Sequence, residues 1–468
     1  VLLSLTSYSQ KPVVVYDLTC EHKKDPLGVD APHPRLSWKI RSAGYNVMQT
    51  AYSIRVATDQ RFSGSGMSWQ TGKIVSDESV LIPYEGAPLK PGQRYYWQVK
   101  VWDNKGRESQ WSEAGYWETG LLSPAGWKAK WIELDSDTLR YSPSTHFRRD
   151  FFVSKSVRTA RIYVTSHGFY ELNLNGKKAG DQVFTPGWTS YGKRLQYQVY
   201  DVTSLLLPGK NAIGAVLGDG WYRGTLAWGD NWAVYGKRLG LLMQMHIKYS
   251  DGTESIIVTD ESWKGYTGGA IVMNDIYNGE TYDATRKLTG WNLPGYDDSS
   301  WKPVTTGSYS MSNIIASEGA EIRRIEEIVP VRIFRTPKGS LVADMGQNMV
   351  GWIRLRVRGP RGTTIILRHA EVLDKYGEFY TENYRKAKAQ LTYTLSGEGE
   401  EVYEPRFTFM GFRYVEVTGF PGELRPENLT GVVIHSDMTP TGTYESSNPL
   451  LNQLQHNIRW GQKGNFVD

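Results

Sequence analysis

From residue 13 to residue 434, apolar and polar side chains alternate in short runs, and Gly, Asn, Asp and Pro close nearly every run. Alternation with period two dictates strands, because successive side chains of an extended backbone point to opposite faces. Tyr52-Ser53-Ile54-Arg55-Val56-Ala57 shows the pattern, as does Tyr95-Tyr96-Trp97-Gln98-Val99-Lys100-Val101-Trp102 before its break at Asp103-Asn104-Lys105-Gly106. A chain of 468 residues is too long for one such core, so the pattern predicts a mainly β protein of tandem β-sandwich modules. The period changes once. After Ser447-Asn448-Pro449, a helix-start signal, Leu450, Leu454 and Ile458 recur at every fourth residue beside Leu451. This predicts an amphipathic helix with nothing after it to cover its apolar face, and the chain reads as cut there.

Residues 13–122 fit a fibronectin III/Ig-like sandwich. Leu89-Lys90-Pro91-Gly92-Gln93-Arg94-Tyr95 places a turn before a strand-leading tyrosine, as in the tyrosine corner of those folds. Such modules are spacers or docking domains more often than catalysts. Residues 123–306 read as hairpins with long loops: Ala160–Val164 and Tyr170–Leu174 around Ser166-His167-Gly168, then the tight-turn pair Asn175-Gly176. That block predicts a jelly roll of carbohydrate-module type. Residues 307–437 predict a further β-sandwich, and residues 438–468 the start of a helical domain. Residues 1–12 begin Val1-Leu2-Leu3-Ser4-Leu5 and turn polar, which reads as a signal-peptide remnant and predicts a secreted or periplasmic protein.

Composition excludes several functions. The net charge of +5 is small for this length, and basic pairs such as Arg148-Arg149 and Arg323-Arg324 are scattered among acids, so no nucleic-acid footprint is present. No apolar run reaches the ~18 residues of a membrane span. Cys20 is the only cysteine, which rules out an intrachain disulfide. Neither a His-x-x-His pair nor a cysteine cluster offers a zinc site. Gly218-x-Gly220-x-x-x-Gly224 lacks the strand-turn-helix context of a dinucleotide fingerprint. No cofactor is expected, although Asp230-Asn231 and Asp275, Asn278, Glu280 and Asp283 supply loop oxygens that calcium would accept.

The chain holds 17 Trp and 29 Tyr. Most are expected in β cores, and a handful at a sugar, whose C–H faces stack on flat rings. The best stretch for sugar contact is Thr225-Leu226-Ala227-Trp228-Gly229-Asp230-Asn231-Trp232, in which Trp228 and Trp232 flank the hydroxyl partners Asp230 and Asn231. Trp188 and Tyr191 are second candidates. A loop tethered by its own aromatics is the competing explanation. Three carboxylate sets lie close in sequence: Glu280 with Asp283, Asp297 with Asp298, and Glu371 with Asp374. Hydrogen bonding within the fold is expected for each, and no catalytic residue is assigned. His369 and Glu371 are expected to share a strand face within a satisfied polar network.

An ordered set of motifs resembles the bacterial α-L-rhamnosidases of glycoside hydrolase family 78. The first module contributes Asp25-Pro26-Leu27-Gly28, Pro34-Arg35-Leu36-Ser37-Trp38 and Gln49-Thr50-Ala51-Tyr52. The second contributes Pro186-Gly187-Trp188-Thr189, Gly218-Asp219-Gly220-Trp221-Tyr222 and Asn278-Gly279-Glu280-Thr281-Tyr282-Asp283-Ala284. The third contributes Asp344-Met345-Gly346-Gln347-Asn348, His369-Ala370-Glu371-Val372-Leu373 and Phe409-Met410-Gly411-Phe412-Arg413-Tyr414. The resemblance implies an inverting glycosidase that removes terminal α-L-rhamnose from glycosides or polysaccharides. It also implies that the catalytic carboxylates belong to an (α/α)6 barrel following the segments matched here, so the helix after Pro449 would be the barrel's first. Related jelly-roll modules in some members bind rhamnose through calcium, but their ligands do not map onto this sequence. The expected partners are a rhamnose-containing glycan and the chain's own carboxyl-terminal barrel. The alternative is a stand-alone carbohydrate-binding or adhesin-like protein without catalysis.

Overall fold

The computed structural model describes residues 13–135, 138–227 and 229–468. The expected signal-peptide remnant at residues 1–12 and the candidate Trp228 therefore lie outside the described residues. Contacts divide the chain into two units, one made of residues up to 127 with 315–318, the other of residues 128–314 with 319–468.

In the first unit, one sheet pairs Val14–Cys20, Arg35–Arg41 and Ile82–Pro83. The other runs Leu27–Val29, Gly115–Thr119, Arg94–Asp103, Gln49–Ala57, Met67–Gln70, with Ile74–Val75 also on Gln49–Ala57. Along Arg94–Asp103 every second residue is buried, as the period-two pattern requires. Trp38, Ile54, Trp97, Val99 and Trp117 fill the core between the sheets. Two of the family-like motifs meet there. The Trp38 indole N–H donates to Gln49 Oε1 at 2.9 Å, and Gln49 Nε2 donates in turn to the carbonyls of Ser76 (3.2 Å) and Glu78 (2.7 Å). The tyrosine corner is present: the Lys90 backbone N–H donates to the Tyr95 hydroxyl at 3.0 Å.

In the second unit, residues 131–304 form two facing sheets. One contains Trp131–Glu133, Gly240–Tyr249, Val157–His167, Leu195–Asp201 and Glu254–Val258; the other contains Phe169–Leu174, Gly209–Gly218, Thr145–Val153 and Lys264–Tyr266. Their inner faces bury Phe147, Ile162, Leu172, Ile213, Leu241 and Met243. Arg148 is buried as well, where its Nε donates to the Trp291 carbonyl at 2.9 Å and its guanidinium pairs with Asp150 and Asp298.

Ten further strands form a sheet around Leu341–Arg358. The start of this long strand pairs with Arg332–Arg335 and Met410–Thr418; its end pairs with Leu429–Ser436 and Glu400–Tyr403. A register shift between Asp344 and Met349 lets one strand serve both sides of the core. Asp344 fixes that bulge, accepting from Arg413 Nε (2.8 Å), Arg332 Nε (3.3 Å) and the Gly346 backbone N–H (2.9 Å). Burial alone would raise its carboxyl, but these donors hold it below its usual value.

Two strands within residues 123–306 belong to this third sheet. Ile271–Asp275 and Gly279–Asp283 form a hairpin, and Gly279–Asp283 runs parallel to Gln390–Thr394 in register from Gly279↔Gln390 to Asp283↔Thr394. Gly279 makes this approach feasible. Its φ is +107°, and a β-carbon there would stand 1.8 Å from the Gln390 carbonyl oxygen.

Gly279→Ala is therefore expected to lower unfolding free energy by about 2–4 kcal/mol. Gly252→Ala, at φ +83° with no atom within 4 Å of the added carbon, is expected to cost only about 1 kcal/mol. Urea denaturation of both variants checks this, and equal losses would count against the close parallel pairing.

Candidate functional site

The motif Gly218-Asp219-Gly220-Trp221-Tyr222 forms a buried helical turn, Gly220–Arg223, locked by an ion pair between Arg223 Nη2 and Asp219 Oδ1 at 2.6 Å. Its two aromatics build different stacks. Trp221 lies parallel to Trp188 at 5.6 Å, while Tyr222 lies parallel to His167 at 4.6 Å, and His167 in turn stacks on Trp131 at 4.2 Å. Burial between these rings pushes the His167 imidazole down to about 4, so it is neutral at physiological pH. Of the two second candidates, Trp188 is 45% exposed and its Nε1 donates to the Tyr235 hydroxyl at 3.2 Å. Tyr191 is buried, wedged edge-on against Tyr222 and Tyr235, and its hydroxyl donates to the Gly187 carbonyl at 2.7 Å. It has no open face for a sugar.

After the turn, Thr225–Leu226 pairs with Asn231–Trp232 in a short hairpin. Asp230 at its tip is exposed and engaged by both terminal nitrogens of Arg140, which holds its carboxylate below the ordinary range. Arg140 Nη2 also reaches Thr225 Oγ1 at 3.1 Å. Asn231 is exposed; Trp232 is half-buried, with Lys237 Nζ 5.8 Å above its ring. Asp230 borders a cleft of about 210 Å³ with Tyr277, Asn278, Arg385 and Lys386, whereas Asn231, Trp232, Trp188 and Tyr191 do not line it. The structure thus separates the candidates into an exposed Trp188 stacked on buried Trp221, a sealed Tyr191, and a hairpin tip clamped by arginine.

The three carboxylate sets are all engaged. Asp298 pairs with Arg148 and with Lys264 Nζ at 2.7 Å, and Asp297 caps the Ser299 N–H at 3.0 Å. Asp374 accepts from the backbone of Tyr376 and Glu378, both at 2.8 Å. Glu371 accepts from Asn348 (3.2 Å) and Asn383 (3.3 Å). The strand carrying His369 ends at Ala370, so His369 is sealed in the core, Nδ1 on the Ala389 carbonyl at 2.8 Å, and Glu371 lies beyond the strand. Arg368 pairs with Glu416 instead of either.

Glu280 is the carboxylate that sequence spacing could not place. Fully buried on Gly279–Asp283, it accepts from the Tyr403 hydroxyl at 3.1 Å and the Arg406 backbone N–H at 3.0 Å. These bonds cross from the hairpin of residues 271–283 to residues 403–406. Burial outweighs both donors and raises its carboxyl to about 7. Such a value would suit a general acid, but no solvent reaches the group. Only the recurrence of Tyr at 282, 393 and 403 hints in the sequence at a polar group packed among rings.

The loop oxygens considered for calcium are also committed. Asp275 accepts from Thr225 N (2.8 Å), Thr225 Oγ1 (2.7 Å), Tyr277 N (3.0 Å) and Asn278 N (2.8 Å), and Asp283 accepts from Thr285 N at 3.0 Å. Among the described residues, no three His, Cys, Asp or Glu side chains group to hold a metal ion.

The Glu280 shift fixes a pH dependence. Its carboxyl is raised on folding, so its contribution to stability is complete below the unfolded value near 4.5 and is lost as pH rises through about 7. Between pH 5 and 8 the protein is expected to lose up to about 3 kcal/mol more than Glu280→Gln does. Denaturation curves at the two pH values measure this; identical losses would mean that Glu280 is ionised in the fold.

Comparison with known proteins places this geometry. Residues 15–123 match the Rha78A-like N-terminal immunoglobulin domain, residues 155–326 the alpha-L-rhamnosidase N-terminal domain, and residues 334–435 the bacterial alpha-L-rhamnosidase concanavalin-like domain. An α-L-rhamnosidase of Streptomyces avermitilis is 35% identical over 96% of this chain and 60% of its own length. The crystal structure of the Streptomyces avermitilis enzyme complexed with L-rhamnose aligns with a TM-score of 0.93 at 33% identity, covering 97% of this chain and 60% of that one. The native enzyme of Aspergillus terreus aligns with a TM-score of 0.92 at 38% identity, covering 97% and 53%. The chain spans about half to three-fifths of the length of the curated relatives it matches. Three consecutive rhamnosidase modules, in the order and fold of these relatives, mean that the chain belongs to the bacterial α-L-rhamnosidases of glycoside hydrolase family 78.

Proposed function

We propose that this chain is the front part of an inverting α-L-rhamnosidase that hydrolyses terminal α-L-rhamnosyl residues from glycosides or polysaccharides. Its β modules act as scaffold for a helical catalytic barrel supplied by sequence beyond Asp468. The observation behind this reading is the helix Pro449–Asn465, which is bound on one side only. Asn448 caps its start, Trp460 packs on the third-module core, and Lys463 pairs with Glu326 at 2.6 Å. Its other side leaves Leu450, Leu454 and Ile458 at least half exposed to solvent. A firmly docked helix with a bare apolar stripe fits a structure that continues in helices. The greater length of the curated relatives supports the same reading.

Inverting hydrolysis needs a protonated carboxyl and a base carboxylate about 6.5–9.5 Å apart around a sugar and a water. The carboxylates flagged here are engaged by hydrogen bonds or ion pairs, and the one raised into the general-acid range is sealed, so the reacting pair is assigned to the barrel. The exposed Trp188 face, with Asp230, Asn231 and Trp232 of the nearby hairpin, is the part of the second module we assign to glycan contact. The stand-alone adhesin-like alternative is not favoured, since the relatives described above are α-L-rhamnosidases.

The 468-residue chain is expected to release no p-nitrophenol from p-nitrophenyl α-L-rhamnoside, and a polypeptide extended to the length of its relatives is expected to release it. In the extended form, Leu454→Glu with Ile458→Glu should lower the melting temperature by several degrees. In the 468-residue chain the same pair should change stability by under about 0.5 kcal/mol. Rhamnoside turnover by the short chain would overturn the scaffold assignment.

A further inference from the structure

A larger cleft than the one beside Asp230 lies elsewhere in the second unit, with a volume of about 650 Å³ between residues 171–178 and 282–292 on one side and residues 393–406 on the other. We propose that it binds a neutral oligosaccharide, as a glycan-holding site separate from the Trp188 face.

Its size lies within the range of about 300–1,000 Å³ typical of small-ligand sites, and junctions between modules are a preferred place for them. The walls cannot drift apart, because Gly279–Asp283 and Gln390–Thr394 are adjacent strands of one sheet. A preformed cleft needs little ordering on binding. Five carboxylates and five cationic side chains line it, so it has no net preference for an anion or a cation. Glu171 is held from both sides, by Lys178 Nζ at 3.2 Å and Arg406 Nη1 at 3.3 Å. Carboxylate acceptor and cationic donors fixed side by side are the complement of neighbouring sugar hydroxyls, each of which both gives and takes a hydrogen bond.

Two further features point the same way. Tyr282, half-buried in the cleft lining, is backed by Tyr393 at 5.6 Å and Tyr403 at 5.3 Å, which gives the cleft a rigid aromatic surface for the C–H face of a pyranose. The side chains of Asn173, Thr289 and Asn292 also line it and make no hydrogen bond to any described residue, which leaves amide and hydroxyl groups for a ligand. A nucleotide or an anionic lipid would lose at the five carboxylates what it gains at the five cationic side chains. A neutral, hydroxyl-rich chain carries no charge to set against either and can hydrogen-bond both.

Calorimetric titration of the 468-residue chain tests this with four probes: a rhamnose-terminated tetrasaccharide, xylotetraose, galactotetraose and, as the charged counterpart, tetragalacturonate. Saturable binding of at least one neutral probe, tighter than tetragalacturonate, is expected. Tyr282→Ala should weaken it roughly tenfold or more. Asn173→Ala with Asn292→Ala, which removes no bond of the fold, should weaken it roughly fivefold, and Trp188→Ala should leave it unchanged. No saturation with any neutral probe, preference for tetragalacturonate, or full affinity in the double variant would each overturn the proposal. Rhamnoside turnover is read separately, so a failed rhamnosidase assignment and an empty cleft give different results.

Discussion

The pairing of Gly279–Asp283 beside Gln390–Thr394 is the contact on which the second unit depends. Parallel neighbours in a sheet need a long connection, and here more than a hundred residues separate the two strands in sequence. A loop of that length costs substantial closure entropy, so the seam must repay it locally. Backbone bonds do part of this, and the buried carboxylate of Glu280, held by Tyr403 and by the Arg406 N–H, adds bonds that no water can replace. The same burial makes ionisation of Glu280 unfavourable. The join between two modules and the raised carboxyl of Glu280 are one feature seen from two sides.

Much of the fold was legible because it rests on local rules. Alternation along Arg94–Asp103 reports one buried face, and burial follows it residue by residue, whereas Val157–His167 is buried on both faces from Ala160 onward. The turn before Tyr95 announced a tyrosine corner, and the Lys90 N–H closes it. The Asn448-Pro449 signal set the start of the last helix, where Asn448 Oδ1 accepts from the Leu450 N–H at 2.9 Å. Each of these is settled within a few residues of chain.

The site was less legible, because its decisive contacts are long-range. Asp230 sits at a hairpin tip as its sequence suggests, yet its partner is Arg140, some ninety positions away, and nothing in the spacing of charges announces that pair. Tyr191 and Trp188 are three residues apart in one loop, yet one is sealed and the other open, since Tyr222 and Tyr235 close over Tyr191. Strand alternation could not separate them, because neither lies in a strand. Glu280 resembled any acid in a loop until the strand opposite was known.

The long strand Leu341–Arg358 explains why the carboxyl-terminal helix is held so firmly. Its bulge, fixed by Asp344 between Arg332 and Arg413, lets it pair on both sides of the core, so a displacement at one end is felt at the other. The helix docks on this strand and on Leu429–Ser436, through Trp460 against the core, Gly464 against Val350, and the Ser436 N–H on the Phe466 carbonyl at 2.7 Å. A helix held at both its face and its end has little angular freedom relative to the sheet beneath it. Rigid sheet, fixed bulge and pinned helix therefore form one mechanical path, and the exposed leucines lie on the side of the helix facing away from it.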